Sequence, residues 1–158
     1  MNTLITIFYD WSRIVASYFT WAAPLAIRIT VGWVFLWSGW QKLQILPRMV
    51  ENFRGWGIPA PEIMAPFASG VELVGGTLLL VGLLTRFAAV PMMIVMAVAI
   101  VSAKAAQIDS LETFLGFEEV SYFVMFASLA IVGPGPVSLD HFVLKRFRPG
   151  RPAAGYGA

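Results

Sequence analysis

Cysteine is absent from the 158-residue chain. That excludes disulfides, thiolate nucleophiles, iron–sulfur clusters held by the chain's own thiolates and cysteine-based zinc sites. Histidine occurs once, which excludes a bis-histidine haem and a histidine-rich metal centre. Charge is scarce as well. Asp, Glu, Lys and Arg make up 13% of residues, against about 25% in an ordinary soluble domain. The net charge of +2 is too small to imply a nucleic-acid partner. What fills the chain instead is apolar: hydrophobic residues are 58% and mean hydropathy is +0.75. This composition excludes a disordered chain and a typical cytosolic enzyme. It places the protein in the lipid bilayer.

A spanning helix needs about 20 mostly apolar residues. Ala22 to Trp40 qualifies, interrupted by Arg28; Met64 to Leu84 qualifies, interrupted by Glu72; Phe87 to Ala103 is free of charge throughout. The last run, Val120 to Val132, reaches only about 20 Å as a helix. Either Glu118 and Glu119 or the Gly133–Pro136 turn must then sit inside the slab's edge. The runs are continuous rather than alternating, so they do not match a membrane barrel, and helices remain. The expected fold is an all-α integral membrane protein, a four-transmembrane-helix bundle preceded by an amphipathic interfacial helix.

That first helix is expected within residues 1–21. Leu4, Phe8, Trp11, Val15 and Tyr18 recur at helical spacing, while Thr3, Thr6, Asp10, Arg13 and Ser17 lie mostly off the stripe. No basic start precedes an apolar core, so a cleaved signal peptide is not expected. Residues 22–142 form the membrane domain, and 143–158 read as a basic, flexible tail. With the termini inside, Arg13, Arg86, Lys145, Arg146, Arg148 and Arg151 fall on the cytoplasmic side, and Lys42, Arg48, Arg54 and Lys104 fall outside. The tail's cluster favours cytoplasmic termini and suits anionic headgroups.

Ionisable groups inside a bilayer cost at least about 2.5 kcal/mol and call for a partner. Arg28 lies about 18 Å below Trp40, and Glu72 about 12 Å below Met64. If Trp40 and Met64 mark one membrane face, Arg28 and Glu72 are within reach of each other. Lys42 leans back into the membrane from above, which would set Glu72 between two cations. One reading is a structural ion pair. The other is a polar pocket of Arg28, Gln41, Lys42, Ser69 and Glu72, with Glu118 and Glu119 at its mouth. In that pocket Glu72, the candidate catalytic residue, would exchange protons, and Arg28 would grip an anionic or carbonyl group. The loop from Pro47 to Pro61 reads as a lid, a re-entrant loop or a docking surface. Gly32, Gly39, Gly75 and Gly76 read as points of close helix packing. Gly133 stops the last span and Ser138 caps a short helix beyond it. Met92, Met93 and Met96 read as packing, with no metal site expected.

Four segments carry a family resemblance: GWVFLWSGWQKL (Gly32 to Leu43), NFRGWGIPAP (Asn52 to Pro61), ELVGGTLLLVGLLTR (Glu72 to Arg86) and GPGPVSLD (Gly133 to Asp140). In this order they resemble the DoxX family of small bacterial membrane proteins, across roughly Ala26 to Asp140. The resemblance implies a multi-pass protein of the bacterial cytoplasmic (inner) membrane. It implies a link to redox assemblies, some of them quinone-dependent. The chain would then be at most a subunit of a quinone-linked oxidoreductase, since it has no redox centre of its own. It would hold a quinone or a soluble oxidoreductase partner, with no haem, iron–sulfur or zinc. Self-association into a homo-oligomer is compatible with this. The alternatives are a non-catalytic scaffold for a stress- or metal-handling system, or a component of small-anion transport.

Overall fold

A backbone surrounded by lipid must satisfy its hydrogen bonds within its own segment, and the long apolar runs accordingly fold as helices. The computed structural model describes residues 2–147, with no strand among them. In chain order the helices are α1 (Asn2–Phe19), α2 (Ala22–Gln44), α3 (Leu46–Gly55), α4 (Pro61–Val81), α5 (Thr85–Ala99), α6 (Leu111–Gly116), α7 (Glu118–Val132) and α8 (Leu139–Phe147). A π-helical turn (Ile100–Lys104) and a 3-10 turn (Ala105–Gln107) continue α5. Among the described residues, three helices are long and apolar enough to cross a membrane: α2, α4 and the continuous Thr85–Gln107 segment. The protein is thus a membrane protein. At 15 residues, α7 reaches only about 22 Å.

Two long seams organise the bundle: α2 packs along α4, and α5 packs along α7. The α2–α4 seam is built on glycine. A Cβ added at Gly39 would sit 2.4 Å from the Leu73 backbone nitrogen, and one at Gly76 would sit 2.4 Å from that of Leu36. A Cβ at Gly32 would sit 2.9 Å from the Leu80 nitrogen. Backbone therefore lies on backbone, and the expectation of close packing at Gly32, Gly39 and Gly76 is borne out. Gly75 belongs to the other side of α4, where the Met92 side chain takes the space a Cβ would need. Where the two seams meet, the Phe35 ring stands edge-on to Tyr122 and Phe126, each at 5.1 Å. Leu79, Met92, Phe126 and Leu129 complete this core.

The segment read as a loop from Pro47 to Pro61 is mostly helix. Pro47 occupies the first turn of α3, where a missing N–H costs nothing. α3 folds back against α4 with Met49 buried. Arg54 pairs with Glu51 within α3 and with Glu62 at the start of α4, the latter at 2.7 Å. The segment is thus a short helix packed on α4 rather than an irregular loop. Residues 2–19 are helical as expected, and Trp11, Val15 and Tyr18 are exposed. The side chains of Leu4 and Phe8, and Arg148 and Arg151 of the tail, lie outside the described residues.

The far end of the bundle is knitted by polar contacts from the turn after α7. Gly133 ends α7 at φ +91°, a backbone angle that favours glycine. The Ser138 hydroxyl oxygen accepts from the His141 amide at 3.1 Å, so the expected cap is present. Both Asp140 carboxylate oxygens accept backbone N–H groups at the start of α5, from Leu84 at 2.7 Å and Thr85 at 3.0 Å. A side chain from another helix thus supplies the N-cap, with its charge at the positive end of the α5 dipole. It also holds Leu84 in a left-handed conformation, φ +50°, that leucine otherwise avoids.

The glycine seam yields a direct test. Gly39→Ala is expected to destabilise the protein by about 1–3 kcal/mol through overpacking. Gly70→Ala, where a Cβ meets nothing within 4 Å, is expected to be neutral or mildly stabilising. Thermal unfolding in mild detergent, followed by tryptophan fluorescence, separates the two.

Candidate functional site

Ser38 and Lys42 are one helical turn apart on α2 and share a face. Across the seam they meet Glu72 of α4. The Lys42 ammonium donates to both carboxylate oxygens, at 2.6 and 2.7 Å, and the Ser38 hydroxyl donates to one of them at 2.9 Å. The Glu72 side chain is 3% exposed and that of Lys42 is 32% exposed. The carboxylate is therefore buried under its cation, and the cation opens outward. An ammonium has three N–H donors. Two of them are engaged by Glu72 and the third is left for whatever lies at the exposed side.

Arg28 has other partners. Its Nε donates to the Leu79 carbonyl at 3.0 Å and one terminal nitrogen donates to Leu80 at 3.3 Å. The other terminal nitrogen donates to Pro134 at 2.6 Å and to Val137 at 2.8 Å. The first two carbonyls belong to the last turn of α4, where Leu79 also accepts from the Gly82 amide at 3.2 Å and the helix offers no further turn. The others belong to the turn after α7. Arg28 is thus a buried clasp that ties α2 to two chain ends. Gly82 makes room for it, since a Cβ there would lie 2.5 Å from the guanidinium.

The expected pairing of Arg28 with Glu72 is corrected by this geometry. It assumed that Trp40 and Met64 were level. In fact Gly39 lies against Ser69 and Leu73, so Trp40 is level with residues near 70. α4 begins more than two turns farther out, beneath α3. Glu72 is accordingly close to the level of Lys42, and Arg28 is level with Leu79 and Leu80, about 12 Å from Glu72 along α4.

The other expected residues divide. Ser69 is buried beside the seam, but its hydroxyl donates to the Ala65 carbonyl of its own helix at 2.8 Å. Gln41 and Glu118 are exposed. Glu119 pairs loosely with Lys104 at 3.8 Å, and its Oε2 is buried without a hydrogen-bond partner among the described residues. The Lys104 ammonium also lies 5.4 Å from the centre of the Phe117 ring. Tyr122, one turn below Glu118, touches Phe35, one turn below Gly39. Both Lys–Glu pairs therefore lie at the same end of the bundle, but among the described residues no ion pair or hydrogen bond joins them. An apolar groove of about 500 Å³ opens between α4 and α5, lined by Pro66, Phe67, Gly70, Val74, Phe87 and Pro91 among others. It occupies a different face of α4 from Glu72 and does not reach the carboxylate.

Two functional side chains escaped the sequence reading. Ser38 carried a signal, its one-turn spacing from Lys42. Asp140 carried one too, an acid two residues past a capping serine, but its target is 55 residues away in sequence.

The sequence model of the DoxX family matches residues 23–105. The chain is 38% identical over 133 residues to "Uncharacterized membrane protein Rv3486" of Mycobacterium tuberculosis, covering 77% of this chain and 82% of that one. It is 30% identical over 132 residues to "Putative oxidoreductase CatD" of Bacillus subtilis, covering 82% and 93% respectively. No solved structure matches.

The buried pair sets a stability test. Lys42→Met leaves the Glu72 charge buried without its cation and is expected to cost about 3 kcal/mol, the low end for a broken buried pair because Lys42 is partly exposed. Lys42→Met combined with Glu72→Met removes both charges and is expected to recover most of that loss. A double-mutant cycle on unfolding midpoints measures the coupling.

Proposed function

The chain belongs to the DoxX family, and from that premise we propose that it is a small membrane subunit of a redox-linked assembly. In this reading it sits in the bacterial cytoplasmic membrane with four spans, α7 being the short fourth, and both termini are cytoplasmic. α1 lies in the interface. A soluble oxidoreductase docks on the membrane domain and supplies the electrons, because a chain without cysteine and with one histidine brings no redox centre of its own. The name of the Bacillus subtilis relative is in keeping with this role.

The observation that supports it is the Lys42–Ser38–Glu72 arrangement. A quinone offers carbonyl oxygens, which need donors. The outward N–H of Lys42 is such a donor, backed by a buried carboxylate that keeps the ammonium in place. Glu72 is suited to hold the proton that a reduced quinone oxygen takes up or gives back. The apolar groove lies on another face of α4, so the fit of a quinone head rests on Lys42.

A second reading, a membrane scaffold without a ligand, is favoured by Arg28. Its guanidinium is committed to four backbone carbonyls, which is a structural duty.

Extraction from native membranes in mild detergent, with mass spectrometry for bound quinone and for co-purifying proteins, decides between them. The redox reading expects stoichiometric quinone in wild type, lost in Glu72→Gln at unchanged yield, together with an oxidoreductase partner. Absence of both quinone and a redox partner at equal yield overturns it in favour of the scaffold.

A further inference from the structure

We propose that α8 and the start of α5 form a docking site for the headgroup of an anionic phospholipid. The proposal does not depend on the redox reading.

The argument begins with depth. Asp140 binds the amides of Leu84 and Thr85, and the Asp140 amide donates to the Gly82 carbonyl at 2.9 Å. Thr85 is the first residue of a segment long and apolar enough to cross the membrane. These three bonds place the first turn of α8 at the membrane boundary.

The exposed face of α8 suits that boundary. Leu139, Phe142 and Val143 are all exposed and lie within about 100° of one another around the helix. Arg146 is exposed on the same face, and Lys145 is exposed at its edge. Leu84 and Phe87 of α5 are also exposed beside this junction. A helix with an apolar stripe and cations along it lies in the interface plane, its aliphatic stems among the acyl chains and its charges at headgroup level.

Charge selects the lipid. Arg86, Lys145 and Arg146 are exposed. The nearby acid, Asp140, has both oxygens committed to backbone amides and forms no ion pair with them among the described residues, so three cations face one carboxylate. Arg86 donates one bond to the Val132 carbonyl at 3.3 Å, which orients it and leaves further donors for a phosphate. The junction is therefore cationic over an apolar stripe, complementary to a phosphodiester above acyl chains.

The test uses the full-length chain, reconstituted in vesicles of phosphatidylglycerol and phosphatidylcholine in equal parts and re-extracted in mild detergent. Native mass spectrometry counts the lipids retained. Wild type is expected to retain phosphatidylglycerol about tenfold over phosphatidylcholine, and Lys145→Gln with Arg146→Gln is expected to bring that preference close to parity. These residues lie on an exposed face, and unchanged circular dichroism checks the fold. In wild type alone, raising sodium chloride is expected to erode the preference. Equal retention of the two lipids by wild type overturns the proposal, as does a preference that survives the double substitution or is insensitive to salt. Displacement of phosphatidylglycerol by inorganic phosphate, beyond the effect of chloride at equal ionic strength, overturns it in favour of a free-anion site.

Discussion

Backbone contact between α2 and α4 is the constraint on which the other interactions depend. Gly32, Gly39 and Gly76 bring the two helices so close that their register cannot slide without a collision of main-chain atoms. In a membrane this closeness substitutes for the hydrophobic drive that water supplies elsewhere, since lipid tails do not favour burying one apolar face against another. Register then chooses the partners. With Gly39 facing Ser69 and Leu73, Glu72 comes to Lys42 and Ser38, and Arg28 comes to the end of α4. A shift of one turn would leave the carboxylate facing carbon and the guanidinium without its carbonyls.

The two buried charges illustrate two ways of keeping an ion in an apolar setting. Glu72 is met by an opposite charge and a hydroxyl. Arg28 is met by carbonyl dipoles at α4's last turn and at the turn beyond α7. The second solution closes two accounts of unsatisfied groups together, because the arginine needs acceptors and the chain ends need donors. Asp140 does the converse for α5, giving acceptor oxygens to amides that have no preceding turn. The GPGPVSLD segment, which carried much of the family resemblance, is thus a fastening: Gly133 turns the chain, Pro134 and Val137 receive Arg28, Ser138 caps α8, and Asp140 caps α5.

Much of this was legible in the residues. The apolar runs located α2, α4 and α5 to within a few positions. The glycines pointed to close contact, and Ser138 was readable as a cap because a cap is a local affair. What was not legible depended on how far one helix protrudes past its neighbour. The charge pairing was misjudged because Trp40 and Met64 were taken as level, and nothing in either helix alone reports that offset. α3 was hidden for another reason. Gly55, Gly57, Pro59 and Pro61 give the segment a loop-like composition, yet the residues before Gly55 carry a helical pattern with Met49 facing inward. The signal was present over fewer than three turns and was outweighed by its flank.

The neutrality of the Lys42–Glu72 pair has a consequence for how the protein experiences the membrane potential. A single charge crossing the full field exchanges about 2.3 kcal/mol per 100 mV. A salt-bridged pair carries no net charge, so the field exerts no net force on it. Removing one partner alone changes that, leaving an unbalanced charge on which the voltage acts. The pairing thus makes this end of the bundle indifferent to the voltage as long as both side chains are present.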